Sequence, residues 1–193
     1  MARHAEFDRT KIVEQAMNLF WEKGYEATSI QDLTEVMGIK PGSLYNSFQD
    51  KHTLFLEALD RYRATDGSYL LRTLANSTSG KSAIEMFFRG LIEELISDPQ
   101  NRACFILNAT LELGSHDAEV AERVRESTEY GERAFYLALV RAQASGEIGS
   151  QHDLRAVAAY LVSMVKGIQV TAKAQPDREN LLAIMRVGLS ILS

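Results

Sequence analysis

The chain is short of the residues that cross-link or interrupt a fold. A single cysteine, Cys104, rules out an internal disulfide and a multi-thiolate metal site. With 3 prolines and 12 scattered glycines in 193 residues, collagen-like, low-complexity and linker-dominated chains are excluded. No apolar run approaches the roughly 18 to 20 residues of a membrane span. The segment Met1 to Arg9 is charged, with no apolar signal stretch behind it. The expected location is therefore cytoplasmic, with no membrane partner.

Catalytic motifs are missing too. The histidines His4, His52, His116 and His152 lie far apart, with no His-x-x-x-His pair for zinc. There is no glycine-rich phosphate loop and no Gly-x-Ser-x-Gly elbow. Cys104 and His116 can be drawn as nucleophile and base, but one helix would hold them about 18 Å apart, so a chain reversal would be needed. The expectation is a protein that is not an enzyme and has neither a metal nor another cofactor.

What is present reads as helix almost throughout. Hydrophobic residues make up 46% of the chain and charged residues 24%, and the apolar positions recur at helical spacing. Over Asp8 to Gly24, Ile12, Val13, Ala16, Leu19 and Phe20 share one face, and Gly24 supplies the stop. Thr28 with Gln31 forms a capping-box pattern opening a short helix that turns Ile30, Leu33 and Val36 inward and ends at Gly38. Pro41 suits the first turn of a third helix, and Asp50 caps a fourth carrying Leu54, Phe55, Ala58, Leu59 and Tyr62. The run Ala75 to Lys81 has linker composition. Further helical patterns follow over about 82–97, 102–114, 117–145, 152–173 and 177–192. The fold class is all-α.

The last two helices suggest assembly. Leu154, Val157, Ala158, Leu161, Val165 and Ile168 form one stripe, and Ala159, Ser163 and Gly167 form a small-residue stripe that another backbone can approach. The final helix carries Leu181, Leu182, Met185 and Leu192 on one side and Ile184, Val187 and Ile191 on another. One face suits the chain's own core, and the other suits the same surface of a second copy. The predicted homodimer interface comprises Leu161, Ser163, Gly167, Ile184, Val187 and Ile191. A helix fully enclosed within a monomer is the alternative.

Two short helices joined by a tight turn, Thr28 to Met37 and Lys40 to Phe48, have helix-turn-helix spacing. In the second, only Leu44 and Phe48 look inward. Lys40, Pro41, Gly42, Ser43, Tyr45, Asn46 and Ser47 leave a small, polar outer face suited to base edges and phosphates.

The run from Glu26 to Lys51, with Ala16, Leu19, Phe20 and the Gly24-Tyr25 pair before it, resembles the N-terminal region of TetR-type transcriptional regulators. That resemblance implies a three-helix DNA-binding domain over 1–50, a connecting helix over about 51–75, and an effector-binding and dimerisation domain over 76–193. It implies a homodimer on an inverted-repeat double-stranded DNA operator, released by a small-molecule effector, with repression the commoner mode. It places Thr28, Tyr45 and Lys51 on phosphates, and Lys40, Pro41, Gly42, Ser43 and Asn46 near base edges. Through Lys51 the domain holds six basic and eight acidic residues, so few cations are available and binding should weaken only shallowly with salt. Arg3, His4 and Arg9 form either a basic arm or a solvated tail.

The candidate effector residues are Met86, Phe87, Cys104, Phe105, Asn108, Leu111, Glu112, Tyr130, Tyr136 and Met164, drawn from apolar stripes with polar neighbours that include His116 and Gln169. Cys104 begins a helix beside Arg102, which raises a rival in which a reactive thiolate senses redox state or electrophiles. A buried, inert cysteine is the plainer reading. A helical interaction protein that binds no DNA is the other rival.

Overall fold

The computed structural model describes residues 2–65, 72–75 and 77–193, with side chains from residue 9 onward. Among the described residues there are nine α-helices of eight residues or more and no strand. They are α1 (Ala2–Lys23), α2 (Ile30–Met37), α3 (Pro41–Phe48), α4 (Lys51–Ala64), α5 (Gly80–Ser97), α6 (Phe105–Leu113), α7 (Ala118–Ala144), α8 (Leu154–Ala174) and α9 (Arg178–Leu189). Residues 72–75 are also helical, and a 3-10 turn, Ser190–Leu192, follows α9. The side chains of Arg3 and His4 lie outside the described residues.

Packing divides the chain into two units, and neither is a continuous stretch. The first holds Met1–Thr65 together with Cys104–Val124, and the second holds Asp66–Ala103 together with Arg125–Ser193. This differs from the expected boundary after residue 75. Residues 104–124, placed by sequence in the effector domain, carry Phe105, Ile106, Ala109, Leu113 and Val120 into the first unit's core. That core is built on α1, where Met17 and Trp21 are buried along with Val13, Ala16 and Phe20, while Ile12 and Leu19 are only half-buried. Aromatic edges hold it together: Phe20 meets Phe55 at 5.1 Å, and Phe105 meets Phe55 at 5.5 Å and Tyr62 at 5.8 Å.

Local chemistry sets the helix ends. Gly24 (φ 85°) and Gly38 (φ 64°) take left-handed backbone where α1 and α2 stop, a conformation that costs glycine nothing. Pro41 occupies the first turn of α3, and Asp50 caps α4 by accepting from the Thr53 N–H at 2.7 Å. The capping box of α2 lies one residue later than the sequence pattern suggests. The Ser29 hydroxyl oxygen accepts from the Asp32 N–H at 3.1 Å, and the Asp32 carboxylate accepts from the Ser29 N–H at 2.9 Å. Thr28 is instead fully buried and donates its hydroxyl to the Gly24 carbonyl at 2.6 Å.

In the second unit, α5, the later part of α7, α8 and α9 enclose a core that includes Phe87, Phe88, Phe135, Leu161 and Ile168. Leu181, Leu182, Met185 and Leu192 are buried as the apolar pattern predicts. Gly188 lets α8 and α9 approach closely: a Cβ there would fall 2.0 Å from the Met164 Sδ. The opposite faces stay open. Ser163 and Gly167 are exposed, Val187 is 75% exposed, Ile191 is 39% exposed and Ile184 is half-buried. Leu161 corrects the predicted interface set: it is fully buried in its own core and has no surface to offer a partner.

Candidate nucleic-acid interface

Helix α3 is pinned from one side only. Leu44 and Phe48 are buried to 0% and 1% exposure, whereas Lys40, Pro41, Gly42, Ser43, Tyr45, Asn46 and Ser47 are all exposed. The pinning has a partner that sequence periodicity does not reveal. Arg9 of α1 lies over the Phe48 ring at 4.3 Å, donates to the Ser47 carbonyl at 2.9 Å and pairs with Glu57 at 2.6 Å. A cation beside the last carbonyls of α3 complements that end of the helix dipole. Arg9 is thus a brace of α3 and not part of a free arm.

Two of the side chains that the resemblance put on phosphate serve the fold instead. The Thr28 hydroxyl is buried and engaged, as described. The Lys51 ammonium donates to the carbonyls of Tyr25 and Thr28, both at 3.0 Å, and sits 4.1 Å from the centre of the Tyr25 ring. Both tie down the turn between α1 and α2. The same turn is held from α6, because the Glu112 carboxylate accepts from the N–H groups of Tyr25 at 2.9 Å and Glu26 at 2.7 Å. Gly24 leaves room for that carboxylate, since a Cβ there would stand 3.0 Å from it.

Glu112→Ala is expected to destabilise the first unit by about 1–3 kcal/mol, the range for losing hydrogen bonds to a charged acceptor, and to weaken operator binding by freeing the start of α2. Thermal unfolding and operator titration of that variant test this. Unchanged values of both would sink the clamp.

Among the described residues, few cations remain for phosphates. In the first unit Arg9, Lys23, Arg61, Arg63 and Arg123 are ion-paired and Lys51 is committed to carbonyls. Lys11 and Lys40 have no ion pair among the described residues. With about one or two phosphates neutralised per subunit, log K for the operator complex should fall against log salt with a slope of about −1 to −2 for each bound subunit. A slope steeper than about −3 per subunit would require cations beyond these.

The ten predicted effector residues are divided between the two units. Cys104, Phe105, Asn108, Leu111 and Glu112 belong to the first unit, and Met86, Phe87, Tyr130, Tyr136 and Met164 to the second. Phe105 is core, Glu112 is the turn clamp, Leu111 is 75% exposed, and Cys104 and Asn108 are half-buried. Phe87 and Met164 are core in the second unit and Met86 is half-exposed. Tyr130 and Tyr136 line concavities of 210 and 470 Å³ respectively. Helix α6 packs its apolar face on the first unit's aromatic cluster. His116 is exposed and Gln169 is buried. Arg102, the cation invoked to activate Cys104, pairs with Asp98 at 3.4 Å, and the Cys104 side chain makes no capping bond to α6.

An exposed recognition helix fastened by its back to a braced helical core defines a helix-turn-helix DNA-binding regulator. Residues 12–58 match the family model described as bacterial regulatory proteins, tetR family, and residues 80–187 match a tetracyclin repressor-like C-terminal domain. The chain belongs to the TetR family of transcriptional regulators, which is not a family of enzymes. YezE of Bacillus subtilis (strain 168), an uncharacterized HTH-type transcriptional regulator, is 34% identical over 193 residues, covering 100% of both chains. The HTH-type transcriptional repressor ComR of Escherichia coli (strain K12) is 31% identical over 186 residues, 96% of this chain and 89% of ComR. Among solved structures, a cysteine-substituted TetR family regulator CifR bound to 26-base-pair operator DNA superposes with a TM-score of 0.84 at 30% identity, covering 94% of this chain and 95% of that one.

Proposed function

We propose that this regulator is a repressor that binds an inverted-repeat operator as a homodimer and releases it when a small effector binds the second unit. The observation that carries the DNA half is the two-sidedness of α3, with Leu44 and Phe48 inward and Lys40 to Ser47 outward. In this reading Ser43 and Asn46 meet base edges, each well-made bidentate contact discriminating by about 1–3 kcal/mol, while Tyr45 and Lys40 position the helix on phosphates. Pro41 starts the helix without an N–H to satisfy. A Cβ at Gly42 would meet nothing within 4 Å in the chain, so only an outside surface, here DNA, calls for glycine there.

The homodimer reading rests on the open faces of α8 and α9. Gly167 likewise has no neighbour within 4 Å that a Cβ would meet, and a mid-helix glycine costs about 1 kcal/mol relative to alanine unless close approach offsets it. Val187, Ile191 and Ser163 are likewise exposed and Ile184 is half-buried, and a two-fold contact would use each residue twice. Coupling between effector and operator has a covalent basis, because the chain passes between the units after residues 65, 103 and 124. A ligand that prefers one arrangement of the second unit then changes the separation of the recognition helices, which operator half-sites hold near 34 to 36 Å.

The test is retardation of a duplex carrying the promoter beside the regulator's own gene. Tyr45→Ala and Asn46→Ala should each weaken the complex by about tenfold or more, with helicity and dimer mass unchanged. A folded wild-type dimer that retards no duplex would overturn the proposal in favour of a helical interaction protein.

A further inference from the structure

The turn that joins α3 to α4 holds one exposed residue in a strained backbone. Gln49 takes φ 64° and ψ −57°, and the Asp50 N–H donates to the Phe48 carbonyl at 2.7 Å, which together make a γ-turn of the rare, strained kind. The turn itself needs only backbone. The Gln49 N–H closes α3 on the Tyr45 carbonyl at 3.0 Å, and Asp50 goes on to cap α4. Glycine would make the same bonds with no Cβ to strain.

Two other residues besides glycines have positive φ among the described residues, and each has a reason within its own unit. Asn101, of a type that tolerates this region, donates its side chain to the Lys173 carbonyl at 2.9 Å, and Ala103 is buried in the second unit's core. Gln49 differs from both. It is exposed, and its carboxamide makes no hydrogen bond among the described residues. Its side chain therefore gives the chain nothing that offsets the strain, and strain of this kind gathers at binding sites.

Gln49 continues directly from the exposed run of α3. The N-terminal residues of a recognition helix meet base edges, so its far end leaves the groove beside the sugar-phosphate backbone. A carboxamide brings two N–H donors to that place and no charge, which suits an interface with few cations to spare.

We propose that Gln49 is a further operator contact, its carboxamide N–H groups donating to a backbone phosphate at the end of α3, and that the γ-turn fixes it there. The proposal rests on α3 being the recognition helix, as read above.

Retardation of the promoter duplex and of an unrelated duplex, with melting followed by Trp21 fluorescence, tests three variants of the full-length protein. Gln49→Ala keeps the strain and removes the donors. It should weaken both complexes alike by about tenfold, because a phosphate contact carries no sequence information. Gln49→Gly should weaken them equally and yet melt about 2–4 °C above Gln49→Ala, opposite effects that a purely structural turn residue does not give. Gln49→Lys should steepen the fall of log K against log salt by about one for each bound subunit. Wild-type operator affinity in Gln49→Ala, a loss confined to the promoter duplex, a glycine variant that melts no higher than the alanine one, or an unchanged salt slope in Gln49→Lys would each overturn the contact alone. A folded wild type that retards neither duplex would instead remove the reading of α3, and the contact with it.

Discussion

Phe105→Ala is expected to cost the first unit about 3–5 kcal/mol and to abolish operator retardation at temperatures where the wild type still binds. Phe105 is 1% exposed at the start of α6, and its ring meets Phe55 at 5.5 Å, Tyr62 at 5.8 Å and Trp21 at 6.4 Å. Truncation would open a cavity in a domain whose whole stability is expected to lie near 5–15 kcal/mol. The chain's one tryptophan, Trp21, sits in this cluster, so its fluorescence during denaturation reports the first unit directly. A loss below about 1 kcal/mol, accompanied by loss of ligand binding, would return Phe105 to the wall of an effector pocket, where its position in the sequence first suggested it.

For the homodimer proposed above, Val187→Asp is expected to convert dimer to monomer. Val187 is 75% exposed in the isolated chain, so an aspartate there should leave the subunit's fold and helicity intact. In a two-fold contact the substitution places two unpaired carboxylates in one interface, at an effective cost of several kcal/mol each. A total of about 4–6 kcal/mol raises the dissociation constant about a thousandfold or more. Sedimentation at micromolar protein should give the monomer mass, and operator affinity should collapse because one subunit engages one half-site. An aspartate variant that stays dimeric would move the interface off α9. Gly167→Val tests α8 independently, since it adds bulk to a face with nothing within 4 Å in its own chain.

The residues that α3 exposes were readable because an eight-residue helix has few ways to bury two large apolar side chains. Leu44 and Phe48, four apart, share one face and send the rest outward. The apolar stripe of α9 was readable for the same reason. The braces of α3 were hidden. Arg9 reaches Ser47 across 38 residues and Glu112 reaches Tyr25 across 87, and no periodicity ties together residues so distant. The capping box was placed one residue early because Thr28 and Ser29 both suit the pattern, and only burial of Thr28 decides between them. Leu161 belongs to a stripe that suits either its own core or a partner, and hydrophobicity cannot distinguish the two.

By itself, then, the order of residues determined the helices, the outward composition of α3 and the membership in a family, because those depend on local spacing and on short runs of side chains. Tertiary structure alone decided that α6 completes the DNA-binding unit, which Lys51, Arg9 and Glu112 stabilise. Contacts between distant segments arise only when apolar faces find each other in three dimensions, and they select among pairings that the linear pattern leaves equivalent.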